Sequence, residues 1–152
     1  MSQGEDRVVA TNRKARHNFD ILDTFECGIV LKGSEVKSLR AAQVQLKDGY
    51  GEIRRGELWL ENIHIAPYSF ARDGGHDPGR SRKLLLRRRE IDRLLGKVNE
   101  QGLTIVPLKI YFTRGLAKVE MALARGRRTY DKRHKLKERE QRREMDRARS
   151  RR

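Results

Sequence analysis

Leu103-Thr104-Ile105-Val106-Pro107-Leu108-Lys109-Ile110-Tyr111-Phe112, then Thr113-Arg114-Gly115, then Leu116-Ala117-Lys118-Val119-Glu120-Met121-Ala122-Leu123. Two apolar runs joined by a short turn containing glycine spell a β-hairpin. In its second arm Val119, Met121 and Leu123 alternate with Lys118, Glu120 and Ala122, which predicts one buried and one wet face. Pro107 lacks an amide donor and belongs at a strand edge or a bulge.

Upstream, Tyr50 to Ile53 and Glu57 to Ile65 repeat this arrangement around the turn Arg54-Arg55-Gly56-Glu57. The second arm places Trp59, Ile63 and Ile65 on one face and Leu58 and Leu60 on the other, as in a strand covered on both sides for part of its length. Gly28 to Leu31 is another short apolar run, stopped by Lys32-Gly33. Two segments have helical spacing instead. Ser34 is a plausible N-cap, with Val36, Leu39 and Gln43 on one face and Lys37 and Arg40 on the opposite one. Ile91, Leu94, Leu95 and Val98 follow the i, i+3, i+4, i+7 rule, and Gly102 sits where a left-handed stop is wanted. Ser69 to Ser81 reads as a loop. Strands with helices interposed predict a mainly β chain, folded as a small barrel of oligonucleotide-binding type with added short helices.

The chain has 152 residues, enough for one core, and its 36 basic and 21 acidic side chains leave a net charge of +15. Such an excess calls for a polyanionic partner. The charge is uneven. Residues 1–124 carry 22 basic and 16 acidic side chains, a net +6, and residues 125–152 carry 14 and 5, a net +9. From Tyr130 onward only Tyr130, Leu136, Met145 and Ala148 are apolar, too few to offset the cost of ordering the backbone, about 1–2 kcal/mol per residue. Three segments are expected: a flexible N-terminus at 1–11, an RNA-binding barrel at 12–124, and a basic tail at 125–152 that is disordered when free.

No run approaches the ~20 apolar residues a membrane helix needs. The start lacks the apolar core of a signal peptide, so a cytoplasmic protein is expected. The single cysteine, Cys27, permits no internal disulfide and reads as a small buried thiol. Motifs for nucleotide binding, acyl transfer or zinc hydrolysis are absent, and His17, His64, His76 and His134 lack ligand spacing. No enzyme activity, metal or cofactor is therefore expected, and the histidines read as surface or RNA-stacking side chains. Glu57 and Glu61 read as solvated strand residues.

Basic clusters carry the positive signal, because Lys and Arg that neutralise phosphates release counterions. They are Arg13-Lys14-Ala15-Arg16-His17 before Phe19, the pair Lys37 and Arg40, Arg82-Lys83 and Arg87-Arg88-Arg89 around three leucines, and the tail. On a small barrel they favour RNA, where shape, phosphate contacts and stacking dominate recognition.

Six blocks in order resemble the SsrA-binding protein (small protein B) family of bacteria. They are Asn12 to His17, Phe25 to Ile29, Gly33 to Arg40, Arg82 to Leu86, Val106-Pro107-Leu108 with Tyr111-Phe112, and Gly126 with Asp131-Lys132-Arg133. The chain departs from the family pattern at Cys27, Gly49 and Arg87. The resemblance implies a barrel of oligonucleotide-binding type that holds the tRNA-like domain of transfer-messenger RNA. It also implies delivery of that RNA to the small subunit and ribosomal RNA of stalled ribosomes, the process of trans-translation. Positions matching the family's RNA contacts are Asn12, Lys14, His17, Glu26, Lys37, Arg40, Lys83 and Leu85, with Arg87 beside them. Glu26 would have to accept a hydrogen bond from a base or a 2′-hydroxyl, since a carboxylate repels phosphate. The tail, with Asp131, Lys132, Arg133, Lys135 and Arg139, would enter the empty messenger channel. Its residues from Asp131 to Arg152 lack Gly and Pro and are mostly good helix formers, so ordering as a helix on the ribosome is expected. A monomer, one per RNA, is expected. The rival reading is a structural ribosomal or translation-factor-like protein bound to ribosomal RNA.

Overall fold

Two tight turns of the same type organise the sheet. Arg55 and Gly56 have φ of 52° and 77°, and Arg114 and Gly115 have 51° and 77°. Positive φ at both central residues is the backbone of the two-residue hairpin turn whose twist matches that of paired strands. The computed structural model describes residues 7–71 and 75–126, together with Arg143. In chain order the elements are β1 (Arg7–Thr11), α1 (Arg13–Asn18), β2 (Phe19–Ile29), α2 (Gly33–Arg40), β3 (Val44–Gln45), β4 (Tyr50–Arg54), β5 (Glu57–Glu61) and β6 (His64–Ile65). There follow β7 (Arg82–Leu85), α3 (Arg88–Gln101), β8 (Thr104–Thr113) and β9 (Leu116–Gly126).

The predicted mainly β architecture with short helices is what forms. Among the described residues the main sheet runs β1-β8-β4-β5-β7-β2-β9, and β9 returns to β8. The strands from β8 to β9 thus close partly into a ring. Closure is thinnest where β4 meets β8 at the single pair Gly51 and Ile105. A Cβ on Gly51 would lie 2.7 Å from Ile105 Cγ2, so glycine is what allows the approach. Leu58, Leu60, Leu84, Ile105, Ile110, Val119, Met121 and Leu123 fill the interior, and α3 adds Ile91 and Leu94. Gly102 ends α3 in the left-handed conformation, as its position predicts.

Several local expectations are corrected. The strand expected at Gly28 to Leu31 begins at Phe19 and ends at Ile29. A bulge between Ile21 and Asp23 turns the odd-numbered side chains from the outer to the inner face, while their burial alternates without a break. Ile21 therefore packs outside the ring while Phe25, Cys27 and Ile29 pack inside. The single strand expected from Glu57 to Ile65 breaks at Asn62, whose φ is 59°. That reversal changes the parity, so Leu58 and Leu60 before it and Ile63 and Ile65 after it are all buried. Pro107 does sit at a bulge, between its own pairing and that of Lys109.

The face of β9 expected to be wet is dry at its far end. Ala122 and Ala124 are buried with Val106 and Leu108 under Ala15 of α1, their small side chains letting the helix approach. Residues 7–11, expected to be flexible, form β1 on β8, with Val9 and Ala10 against the core. Ser34 is not the cap of α2. The Glu35 carboxylate accepts from the Lys32 N–H at 2.8 Å, and Ser34 Oγ instead meets His76 Nδ1 at 2.8 Å.

His76, expected at the surface, is 9 % exposed, and its Nε2 meets the Ile65 carbonyl at 2.9 Å. It ties Ile65 at the end of β6 to Ser34 of α2. Asp131, Lys132, Arg133, Lys135 and Arg139, and the expected tail helix, lie outside the described residues.

Candidate nucleic-acid interface

Strand register decides which side chains share the outer wall. Glu26 pairs with Glu120, and Glu120 with Lys109. Lys118 pairs with Gly28 on one side and Tyr111 on the other. Two carboxylates directly opposite on neighbouring strands repel. Here the Tyr111 hydroxyl donates to Glu26 Oε2, while Glu120 is approached by Arg16 at 3.6 Å and Lys109 at 3.9 Å. Lys109 also lies 5.4 Å from the Tyr111 ring centroid. Glu26 is exposed and accepts from its tyrosine partner.

Beside this wall opens a groove of about 770 Å³, and Glu26, Lys83, Leu85 and Arg87 all line it. Gly28, Gly56, Glu57, Arg88, Glu90 and Lys118 complete the sides. Leu85 is half exposed and packs over Gly28, where a Cβ would come within 3.3 Å of it. Lys83 leans on Glu57 at 3.1 Å. Arg87 is the extended N-cap residue of α3 and is exposed. Four cations and three carboxylates line the groove, so charge alone does not define it. Exposed leucine, cations and the Glu26 carboxylate side by side suit a folded RNA read by shape.

The other anticipated residues lie elsewhere. Lys37 and Arg40 project from the exposed face of α2, Lys37 Nζ 5.2 Å from the Tyr68 centroid and the Arg40 guanidinium 4.9 Å from that of Phe112. Lys14 pairs with Asp48 at 2.7 Å and lines a second pocket, of about 450 Å³, with Lys47 and Tyr50. His17 is exposed near the end of α1. Asn12 is 3 % exposed and its amide is spent internally. Oδ1 caps α1 by accepting from Ala15 N, and Nδ2 donates to the carbonyls of Leu46 and Pro107. These bonds hold α1 on the barrel.

One basic cluster is divided by the fold. Arg82 is fully buried and Arg80 half-buried, both donating to the buried Glu35 carboxylate. Only Lys83 and the arginines after Leu86 face outward. Burial by itself raises the Glu35 carboxyl, but hydrogen bonds from Arg80, the Lys32 N–H and Arg82 hold it below its ordinary value. Burial likewise lowers Arg82, opposed by its bond to Glu35. Sequence reasoning missed Tyr111, Lys118 and Lys109. Their outward alternation was readable, but the meeting of Tyr111 with Glu26, and of Lys109 with Glu120, needed the register set by the Arg114-Gly115 turn and the β2–β9 pairing.

A family model described as "SmpB protein" matches residues 9–151. The chain belongs to the SmpB protein family. Relatives named SsrA-binding protein include that of Parafrankia sp. (strain EAN1pec), 56 % identical over 93 % of this chain and 89 % of its own. That of Geobacillus thermodenitrificans is 50 % identical over 97 % and 96 %. A chain from the structure described as "tmRNA-SmpB: a journey to the center of the bacterial ribosome" superposes with a TM-score of 0.66. It is 55 % identical and covers 79 % of this chain and 84 % of its own length. This SmpB family member has, among the described residues, no acidic, histidine or cysteine cluster able to hold a metal, and no helix long and apolar enough to cross a membrane. Its Cys27 thiol is pushed up to about 12, mainly by burial and then by Glu26, and stays un-ionised.

Proposed function

We propose that this protein binds the tRNA-like domain of transfer-messenger RNA and delivers it to stalled ribosomes in trans-translation. Membership of the SmpB family across residues 9–151 carries this reading. The groove beside β2 and β7 supplies its physical side: Lys83 and Arg87 meet phosphates, Leu85 packs on ribose or base, and Glu26 accepts from a base amine or a 2′-hydroxyl. Lys37, Arg40, Lys14 and His17 extend the contact to flanking phosphates, and Asn12 acts by positioning α1. The tail enters the empty messenger channel of the small subunit through Asp131, Lys132, Arg133, Lys135 and Arg139. The protein acts in the cytoplasm as a monomer, by binding rather than catalysis.

The test is to sequence RNA that copurifies with the tagged protein. Transfer-messenger RNA should dominate, and recovery of ribosomal RNA alone would overturn the proposal in favour of a structural ribosomal protein. A chain ending at Gly126, the last residue of β9, should bind the tRNA-like domain with an affinity within a few-fold of the full chain, yet fail to tag peptides on stalled ribosomes. A loss of 100-fold or more in its affinity would overturn the division between barrel and tail.

A further inference from the structure

Phe70 is 78 % exposed, the most open of the large apolar side chains among the described residues. It is not an isolated ring. It stands edge-on to Tyr68 with centroids 5.7 Å apart and planes at 64°, and the Lys37 ammonium lies 5.2 Å from the Tyr68 centroid. The three side chains form a ladder from α2 outward to the tip of a turn closed by the Ala71 N–H on the Tyr68 carbonyl at 3.1 Å. The base of that turn is pinned. Ser38 Oγ donates to the Ala66 carbonyl at 2.7 Å, and the Ala66 N–H donates to the Gln43 carbonyl at 3.0 Å. Holding an aromatic ring in place before binding lowers the entropy lost on association.

The surroundings select the occupant. The only acid of α2, Glu35, is buried against Arg80 and Arg82, so the exposed face of the helix presents Lys37 and Arg40 unopposed by its own carboxylates. An aromatic face beside the Lys37 ammonium, with Arg40 three residues further along α2 over Phe112, matches an unpaired nucleotide whose base stacks while its flanking phosphates meet the cations. We propose that Phe70 and Tyr68 form a stacking platform for an unpaired base of the bound RNA, with Lys37 and Arg40 on the adjoining phosphates. This rests on the RNA-binding reading above and adds a subsite to it.

The experiment compares the full-length parent with Phe70→Ala and Phe70→Trp, using the transcribed tRNA-like domain of transfer-messenger RNA as the probe over a range of salt. Phe70→Ala should weaken binding by about tenfold or more without changing the salt slope, because a stacked base and no charge is removed. Phe70→Trp should bind as the parent does, and its added indole fluorescence, read above that of the native Trp59, should be quenched by the RNA. Binding of Phe70→Ala within twofold of the parent, or no quenching of the added indole in Phe70→Trp, would overturn the platform while leaving the RNA-binding reading intact. Normal RNA binding by Phe70→Ala with failed ribosomal tagging would also overturn it, by assigning the ring to a protein partner. A parent that does not bind this RNA overturns both.

Discussion

Arg82 Nε donates to Glu35 Oε2 at 2.7 Å, with both side chains wholly removed from solvent. Arg80 grips the same carboxylate from a partly exposed position. Taking charges out of water costs several kcal/mol per ion, so the pair is tolerable only because it is fully hydrogen-bonded. It joins α2 to β7 and so holds in place the helix that presents Lys37 and Arg40.

Glu35→Gln should accordingly destabilise the protein by about 3–5 kcal/mol, since it strands a buried arginine. Urea unfolding measures this. The folded-state carboxyl lies below its ordinary 4.5, so its contribution is present above that pH and is lost as pH falls through the folded value. The parent should therefore lose stability below about pH 5, and the variant should lose less. Equal acid profiles for the two would show that Glu35 does not drive the acid limb.

Tyr111→Phe removes the hydroxyl that holds Glu26 while leaving the ring under Lys109. A hydrogen bond to a charged group contributes about 1.5–3 kcal/mol, part of which shows as pre-organisation, so affinity for the tRNA-like domain should fall roughly tenfold. In a Glu26→Gln background the same change should have little further effect. Additive losses in this double-mutant cycle would mean that Tyr111 meets RNA independently of Glu26.

Lys37→Gln with Arg40→Gln should weaken RNA binding and flatten its log–log salt dependence by roughly 0.7–0.9 for each phosphate left without its cation. Thermal stability should drop only slightly, because each cation is exposed to solvent over its aromatic ring, a contribution of about 0.5–1 kcal/mol. A salt slope equal to that of the parent would remove α2 from the RNA face.

Cys27 should resist alkylation by iodoacetamide at pH 8 in the folded protein and react fully in guanidinium chloride, because only the thiolate attacks and burial holds the thiol near 12. Mass spectrometry reads the outcome. Rapid labelling of the native protein would show that the β2–β9 wall opens.

The composition and the periodic segments determined a good deal alone. Gly102, the Arg55-Gly56 and Arg114-Gly115 turns, the spacing of Ile91, Leu94 and Val98, and the bulge at Pro107 depend on propensities and steric limits acting within a few residues. They were legible because no distant partner overrides them. Where parity slips, the local pattern misleads, as at the Ile21–Asp23 bulge of β2 and at Asn62, since one inserted or left-handed residue exchanges the faces.

Charge indicated the class of partner but not which side chains would meet it. Arg82 and Lys83 are neighbours in sequence, yet strand alternation sends Arg82 into the interior, where Glu35 from α2 neutralises it, and Lys83 into the groove. Asn12 belongs to a basic block but is consumed in capping α1 and holding the Leu46 and Pro107 carbonyls. Tyr111 and Glu26 lie 85 residues apart, and only the closing of β9 between β2 and β8 brings them together. The sequence by itself determined which residue types are available and their local conformations. Tertiary structure decided which of those charges remain for a partner, because burial and pairing depend on neighbours supplied by distant strands.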